Sequence, residues 1–557
     1  MTTRNVNLLW KNFRGIRKLN TINSDNEFGA DVAHNVRLSK EKSGQMRSIR
    51  SSCWLKEFTD VGESVIRLFT ANISGLGGDQ LIAFTKTSTA INVWKINDST
   101  GDTTHVKIGT FPLVTDVTDV CMTQWGDRLG MVIAFGASYL GFVYYSVDSN
   151  IGGTQMGTSG FYYQTINLSG AGVSIPLSNV TRVRPYRSRL AINGETTYVA
   201  PDPQDPSSPA REAIYGVWFS EAGNPLNFTA DPLTSASETS AFYVETGEYM
   251  NQLEEYHGLT AFGRNRAYNI TGSSQEDIKV LPLTAKGVFG NAAFAIDGQC
   301  AYVDSFASNI FTLRDNIDGT IGFNTPIGDD IQDYLRDVKD VTINAAGRRV
   351  RLTKSTGQSL VFDVDVREWV EEFLLENARV VTFEETEYFC TRDTSVGIIS
   401  EQWGVGAQQT TDDDGYYSHY RTNLMWLDSQ SSVKSHLYPF AIILEPNTSN
   451  DFYIKFTTDR GYSFQARITK AGFTNVATYS NDDQIPADGS QFVVDDEDLS
   501  GRVFFAFNQT ELLLTAERPP FWRYLQIDIY TTQSSQQFNI SGIEAKNTVI
   551  TDEMLDY

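Results

Sequence analysis

A short unit recurs along the first three-quarters of this chain and constrains its fold more than anything else. A polar turn leads into an apolar strand, then a small loop, then an aromatic-rich strand. The unit reads "GDQLIAFTKTSTAINVWKI" from Gly78 and "GDRLGMVIAFGASYLGFVYYSV" from Gly126. "RSRLAINGETTYVA" follows from Arg187, with "IYGVWFS" after an insertion. Further copies start at His257, Asp297 and Gly347, with a weaker one at Glu385. Runs of four to eight residues rich in Val, Ile, Phe, Tyr and Thr, bounded by Gly, Asn, Asp and Ser, are strands. Their spacing of roughly 40 to 70 residues suits a propeller blade plus variable loops. The expectation is an all-β chain with a β-propeller over residues 61–405. A sandwich or several barrels would give similar strands. Helical periodicity is scarce, and short helices are expected only over Ile327–Val338 and Ser207–Ala213.

The other segments read differently. "APDPQDPSSPAREA", Ala200–Ala213, holds four prolines between Pro201 and Pro209. Proline cannot donate to a ladder, so a surface loop is expected there. Gly406–Tyr420, "GAQQTTDDDGYYSHY", reads as a linker over residues 406–420. After it, alternating runs such as "DFYIKFTTDRGYSFQARI" predict a separate antiparallel β-sandwich, jelly-roll-like, over residues 421–557.

Charge narrows the partners. The formal net charge is -23, which argues against a general nucleic-acid-wrapping surface. Residues 1–60 nevertheless carry eleven Lys/Arg against six Asp/Glu, so the remaining chain is at about -28. A basic segment on an acidic body reads as an extended N-terminal arm for assembly. Its candidate contacts are Arg14, Arg17, Lys18, Arg37, Lys40, Lys42, Arg47 and Arg50. A merely solvated terminus is the plainer alternative.

Cys53, Cys121, Cys300 and Cys390 are far apart, so reduced thiols are expected rather than a disulfide framework. The five histidines are scattered, and no HxxxH or HxH pair offers a zinc site. No cofactor is expected. "VNLLW" near the N-terminus is too short for a signal peptide, and no apolar run reaches 18 residues. A soluble protein made in a cytoplasm is the expectation.

One octapeptide suggests chemistry. Thr457-Thr458-Asp459-Arg460-Gly461-Tyr462-Ser463-Phe464 resembles the Asp-box of sialidases, a turn repeated on the blades of sugar-cleaving propellers. Asp459 would accept local N–H groups, Gly461 would take positive φ, and Phe464 would pack into the sheet. Together with Thr457 and Ser463 these residues are expected to make a structural turn. A sialidase-like site also needs three arginines gripping a carboxylate and a Tyr/Glu nucleophile pair. The nearest sequence to the arginine-bearing "FRIP" segment is "RVRP", Arg182–Pro185, which departs from it. A soluble monomer hydrolysing glycoconjugates, or a central pocket with three converging arginines, would sink a structural reading in favour of the glycosidase. Asp459→Ala should cost on the order of 1 kcal/mol of stability, read by denaturant unfolding, and abolish no hydrolase activity.

The remaining motifs are weaker. Asp329-Asp330, Asp412-Asp413-Asp414 and Asp495-Asp496-Glu497-Asp498 are acidic loops without the calcium-loop spacing. "GLGG", Gly75–Gly78, precedes a strand and not a helix, so it does not cradle phosphate. Trp369 in "DVDVREW" is expected to be a buried anchor.

Several segments together resemble the tail nozzle or tail-hub proteins of short-tailed bacteriophages, also called packaged-DNA stabilisation proteins or tail tubular protein B. "NVRLSKEKSGQMRSIRS", Asn35–Ser51, is similar to that family's "N-x-x-L…G-x-x-x-x-R" stretch. "VRPYRSRLAI" with "IYGVWFSEAGNPLNF", "MNQLEEYHGLTAFGRNRAYNITG", "DVDVREW" and "LDSQSSVKSHLYPFAIILE" resemble later parts. The resemblance implies a non-enzymatic virion protein, one subunit of a homo-oligomeric ring, usually a hexamer. Such a ring surrounds the DNA exit channel and contacts adaptor or portal-side rings and tail fibres or spikes. An acidic wall would let double-stranded DNA pass without gripping its phosphates. A glycan- or receptor-binding tail module is the alternative, and a propeller glycosidase the more distant one.

Overall fold

Hairpin after hairpin, the chain builds β-sheets, and the only helical pieces among the described residues are two short 3-10 turns. The computed structural model describes strands and turns within residues 3–552. The longer stretches outside the description include 17–21, 40–44, 50–51, 58–62, 197–213, 229–239, 400–406, 409–414, 459–462, 480–491 and 506–523.

Seven antiparallel sheets follow one another. Sheet 1 runs Ser64–Ile73, Gly78–Lys86, Ala90–Ile96 and His105–Pro112. Sheet 2 contains Asp119–Trp125, Arg128–Ala134, Tyr139–Tyr145 and Phe161–Asn167, edged by the short Thr154–Gln155. Sheet 3 contains Val183–Tyr186, Arg189–Thr196, Ile214–Phe219 and Phe242–Glu245. Sheet 4 contains Met250–Glu255, Leu259–Gly263, Ala267–Thr271 and Lys279–Leu283. Sheet 5 contains Val288–Ile296, Gln299–Asp304, Ile310–Asp315 and Ile321–Phe323. Sheet 6 contains Val338–Asn344, Arg349–Lys354, Gln358–Asp363 and Glu368–Phe373. Sheet 7 contains Arg379–Phe383, Thr386–Cys390 and Ser395–Ile399, and its fourth strand is Ser52–Glu57 from the N-terminal region. Each recurring sequence unit lands on the second and third strands of one sheet. Its opening turn often bends at positive φ, as at Arg187 (φ 55), His257 (φ 48) and Glu384 (φ 45), the corner that tight hairpins require.

The first strand of each sheet packs against the first strand of the next, and that of sheet 7 returns to that of sheet 1. The order is cyclic. Apolar clusters fill the joints. Leu140 meets Leu190 and Trp218 between sheets 2 and 3, and Phe262 meets Tyr302 between sheets 4 and 5. Val65 and Leu81 meet Tyr388 and Val396 between sheets 1 and 7. Sheet-on-sheet burial of this kind supplies the main driving force, about 25 cal/mol per Å² of apolar surface.

A second β domain combines both ends of the chain in two layers. In one layer the long strand Asn539–Asp552 pairs with Phe440–Leu444, Val433–His436, Thr3–Trp10 and Gln45–Ser48. The other layer orders Glu27–His34, Ser418–Thr422, Tyr524–Thr531, Asp451–Thr458, Ser463–Thr469 and Gly472–Tyr479. Ala33, Met46, Ile442, Ile454, Ile527 and Ile540 share one core with Val303, Leu352 and Trp369 of sheets 5 and 6. A single pairing, Glu371 with His34, runs sheet 6 into this layer. The second domain is therefore fused to the cyclic body through hydrogen bonds and a common core.

Three local expectations shift. Residues 1–60 do not stand apart as an arm: their described strands complete the second domain and sheet 7. Their alternation is short, and its partners lie hundreds of residues away. Over Ile327–Val338 only Asp329–Tyr334 is a 3-10 helix, interrupted at Ile331 (φ -124), and Val338 already begins a strand. The linker contributes strands at both ends, with Ala407–Gln408 on sheet 7 and Ser418–Thr422 in the second domain. Ser207–Ala213 lies outside the described residues.

Candidate functional site

Where the first strands converge, they leave a cavity of about 220 Å³. Its lining comes from six of the seven sheets: Arg67, Leu68 and Phe69; Val120, Cys121 and Met122; Arg182 and Arg184; Gln252; Asn291; and Val341. Three guanidiniums thus reach it from sheets 1 and 3, and Arg182 and Arg184 belong to the "RVRP" segment. Arg184 lies on the strand Val183–Tyr186 and Arg182 directly precedes it, and in extended chain residues two apart face the same side.

Carboxylates hold two of the three arginines. Arg67 donates from Nε and Nη2 to Asp119 at 3.0 and 2.7 Å. This two-pronged geometry fixes its plane. Arg379 of sheet 7 reaches the same carboxylate at 3.8 Å, so Asp119 ties sheets 1, 2 and 7 together. Arg184 donates to Glu254 at 3.1 Å, and the Glu254 charge raises the Arg184 pKa above its ordinary value.

Arg182 differs. It is only 7% exposed, yet its partners are neutral: Nε donates to Gln252 Oε1 at 2.8 Å and Nη1 to the Thr181 carbonyl at 2.6 Å. Gln252 in turn donates to Glu254 at 2.6 Å. Among the described residues no Tyr, Asp or Glu lines the cavity.

A second charged centre lies at the joint of sheets 6 and 7. Arg351, 1% exposed, pairs with Glu372 and reaches Glu387 at 3.4 Å. Arg37 from the N-terminal strand Val36–Ser39 donates to Glu387 at 3.0 Å and lies 3.7 Å from Glu372. Burial opposes ionisation of Glu387, but Arg351, Arg37 and Arg349 outweigh it and bring its pKa down to about 2. Burial likewise works against the Arg351 charge, and Glu372 and Glu387 raise its pKa. This centre joins three parts of the chain, and the space lined by Arg37, Arg349 and Glu372 is about 20 Å³, below the size of a substrate.

The expected assembly residues scatter. Arg14 donates to Glu368 at 3.3 Å, whose other oxygen accepts from the Gly15 amide at 3.1 Å. Arg14 and Arg37 are therefore internal ties rather than free contacts. Arg47 is exposed on the strand Gln45–Ser48. Arg17, Lys18, Lys40, Lys42 and Arg50 lie outside the described residues. In the octapeptide, Thr457 pairs with Ser463 and Phe456 with Phe464, so a hairpin carries it, while Asp459 and Gly461 lie outside the described residues. Trp369 is 5% exposed and donates to the Ile327 carbonyl at 3.1 Å, the buried anchor expected. Cys300 and Cys390 are buried, and Cys121 is half-buried. No cluster of potential metal ligands occurs among the described residues.

Sequence reasoning considered "RVRP" only as a failed match. It missed Arg67 and the cavity because convergence of distant first strands leaves no local signature.

No protein-family model matches the sequence, and no curated protein does. Solved structures with similar chain paths include Sqt1 of Saccharomyces cerevisiae, with a TM-score of 0.37 and 10% identity over 77% of this chain and 100% of that one. Sqt1 of Chaetomium thermophilum, bound to the N-terminus of the ribosomal protein L10, gives 0.34 and 11% over 63% and 100%. Apo AztD of Citrobacter koseri gives 0.31 and 10% over 59% and 89%. None of the three is a phage tail protein, and at these scores the likenesses carry no argument.

Proposed function

We propose that this chain is a structural subunit of a phage tail, a ring-forming nozzle or hub protein with a seven-bladed propeller fused to a β-sandwich. One observation carries the reading: the described strands of the family-like segment, Val36–Ser39 and Gln45–Ser48, are built into the sandwich, while the next strand, Ser52–Glu57, closes sheet 7. One continuous segment thus locks two bodies whose cores are already merged. A subunit that must hold a pressurised genome gains from such a joint, because neither body can swing without breaking ladder hydrogen bonds. The other family-like segments fall on equivalent working parts. "MNQLEEYHGLTAFGRNRAYNITG" makes the first three strands of sheet 4, and "DVDVREW" turns into the last strand of sheet 6.

The three-arginine cavity is the feature that favours the glycosidase alternative. Against that alternative, Arg67 and Arg184 already grip carboxylates of this chain. The lining also offers no carboxyl or phenol to act as acid, base or nucleophile, and glycoside cleavage needs two such groups flanking the bond.

Disrupting this gene in its phage is expected to give DNA-filled heads that lose their DNA and do not infect, with infectivity restored by the intact gene in trans. Fully infectious particles lacking the chain would overturn the reading.

A further inference from the structure

We propose that the cavity at the convergence of the first strands binds a small oxyanion, a phosphate or a short dicarboxylate. Arg182 is the residue that points to it, independently of the tail reading. Arg182 as a residue is more than nine-tenths buried. A buried charge is costly unless something of opposite sign answers it. Its partners are an amide oxygen and a backbone carbonyl, both neutral. Among the described residues, Nη2 donates to no protein group, and the side chain lines the cavity. Gln252 links Arg182 to the Glu254 carboxylate, accepting from Arg182 and donating to Glu254.

The neighbours complete a cradle. Arg67 and Arg184 also line the space, each held in place by its own carboxylate from behind. Gln252 and Asn291 add amides. Three cations and no anion therefore face a cavity of about 220 Å³, in a chain whose net charge is -23. That volume takes a small organic ion with several waters. Guanidiniums bind carboxylate and phosphate oxygens through paired, charge-assisted bonds. Among the described residues no carboxyl, phenol or imidazole lines the wall, so the site is read as a binding site.

Calorimetric titration of the full chain with sodium succinate and, separately, with inorganic phosphate tests this. Saturable one-to-one binding of either is expected, and the tighter of the two identifies the source of the oxyanion. Arg182→Gln, which leaves no buried carboxylate unpaired, should weaken binding at least about tenfold. Arg47→Gln, on the exposed surface of the second domain, should leave it unchanged. No binding of either anion, or equal loss in both variants, would overturn the proposal. Cys121 lines the same cavity, so if Arg182→Gln does not fold, the rate of Cys121 alkylation in the unmodified chain decides. Saturating ligand should slow it several-fold, and an unchanged rate would refute the site.

Discussion

Deleting residues 1–50 is expected to unfold the second β domain rather than merely free an assembly arm. The deletion removes the strands Thr3–Trp10, Glu27–His34, Val36–Ser39 and Gln45–Ser48 from both layers. It also takes the buried side chains of Phe13, Ile16, Val36, Met46 and Ile49 out of the fold. At about 2 kcal/mol for each large apolar side chain, the loss is on the order of 10 kcal/mol, comparable with the whole stability of an ordinary domain. Glu368 and Glu387 would lose Arg14 and Arg37 as well. Circular dichroism and limited proteolysis of the truncated chain check this, and a truncated chain with an intact, cooperative second domain would refute the shared-core account. A failure of that truncated chain to enter virions says nothing about assembly. A role for the basic segment is better tested by changing exposed Arg47 alone.

Arg351→Met should be the most damaging single substitution at the joint of sheets 6 and 7. It leaves Glu372 and Glu387 buried with less compensation, and breaking a buried pair from one side costs about 3–5 kcal/mol. The pH dependence follows from the depressed pKa of Glu387. A carboxyl whose folded pKa lies below its unfolded value stabilises the fold above the unfolded value. That stability is lost as pH falls through the folded value. The window runs from about 4.5, the ordinary carboxyl value, down to about 2. The corresponding contribution is on the order of 3 kcal/mol. Denaturant unfolding at pH 7 and near pH 3 should therefore show a wide gap between parent and variant that narrows in acid. Glu387→Gln placed on Arg351→Met should recover part of the loss at pH 7. A gap independent of pH would mean that Arg351 acts through packing alone.

Much of the fold was legible because its information is local. The units from Gly78 to Glu385 each hold a hairpin whose turn residues and alternation lie within some twenty positions, and each became the middle of one sheet. The anchoring of Trp369 was legible for the same reason. What stayed hidden is non-local. Glu27–His34 reads as a modest strand, and nothing in it announces pairing with Ser418–Thr422. The strand Ser52–Glu57 gives no hint that it closes a sheet made by residues 379–399. The arginines of the basic segment read as assembly contacts or as a solvated terminus, yet Arg37 is half-buried beside its partners Glu372 and Glu387. Arg67 joins Arg182 and Arg184 only through cyclic packing, which no spacing in the chain encodes. "TTDRGYSF" was informative in a narrow sense. It marked a hairpin, Asp451–Thr458 with Ser463–Thr469, in the second domain and away from the cavity.

The central claim is that this subunit closes into a ring around passing DNA. Negative-stain imaging of tails purified from virions, with the chain located by a specific antibody, tests it most directly. The account predicts a rotationally symmetric ring, six-fold by the family resemblance, labelled around an open lumen between the portal side and the distal tip. Antibody confined to peripheral fibres, or a chain absent from tails and monomeric at every concentration, would contradict it.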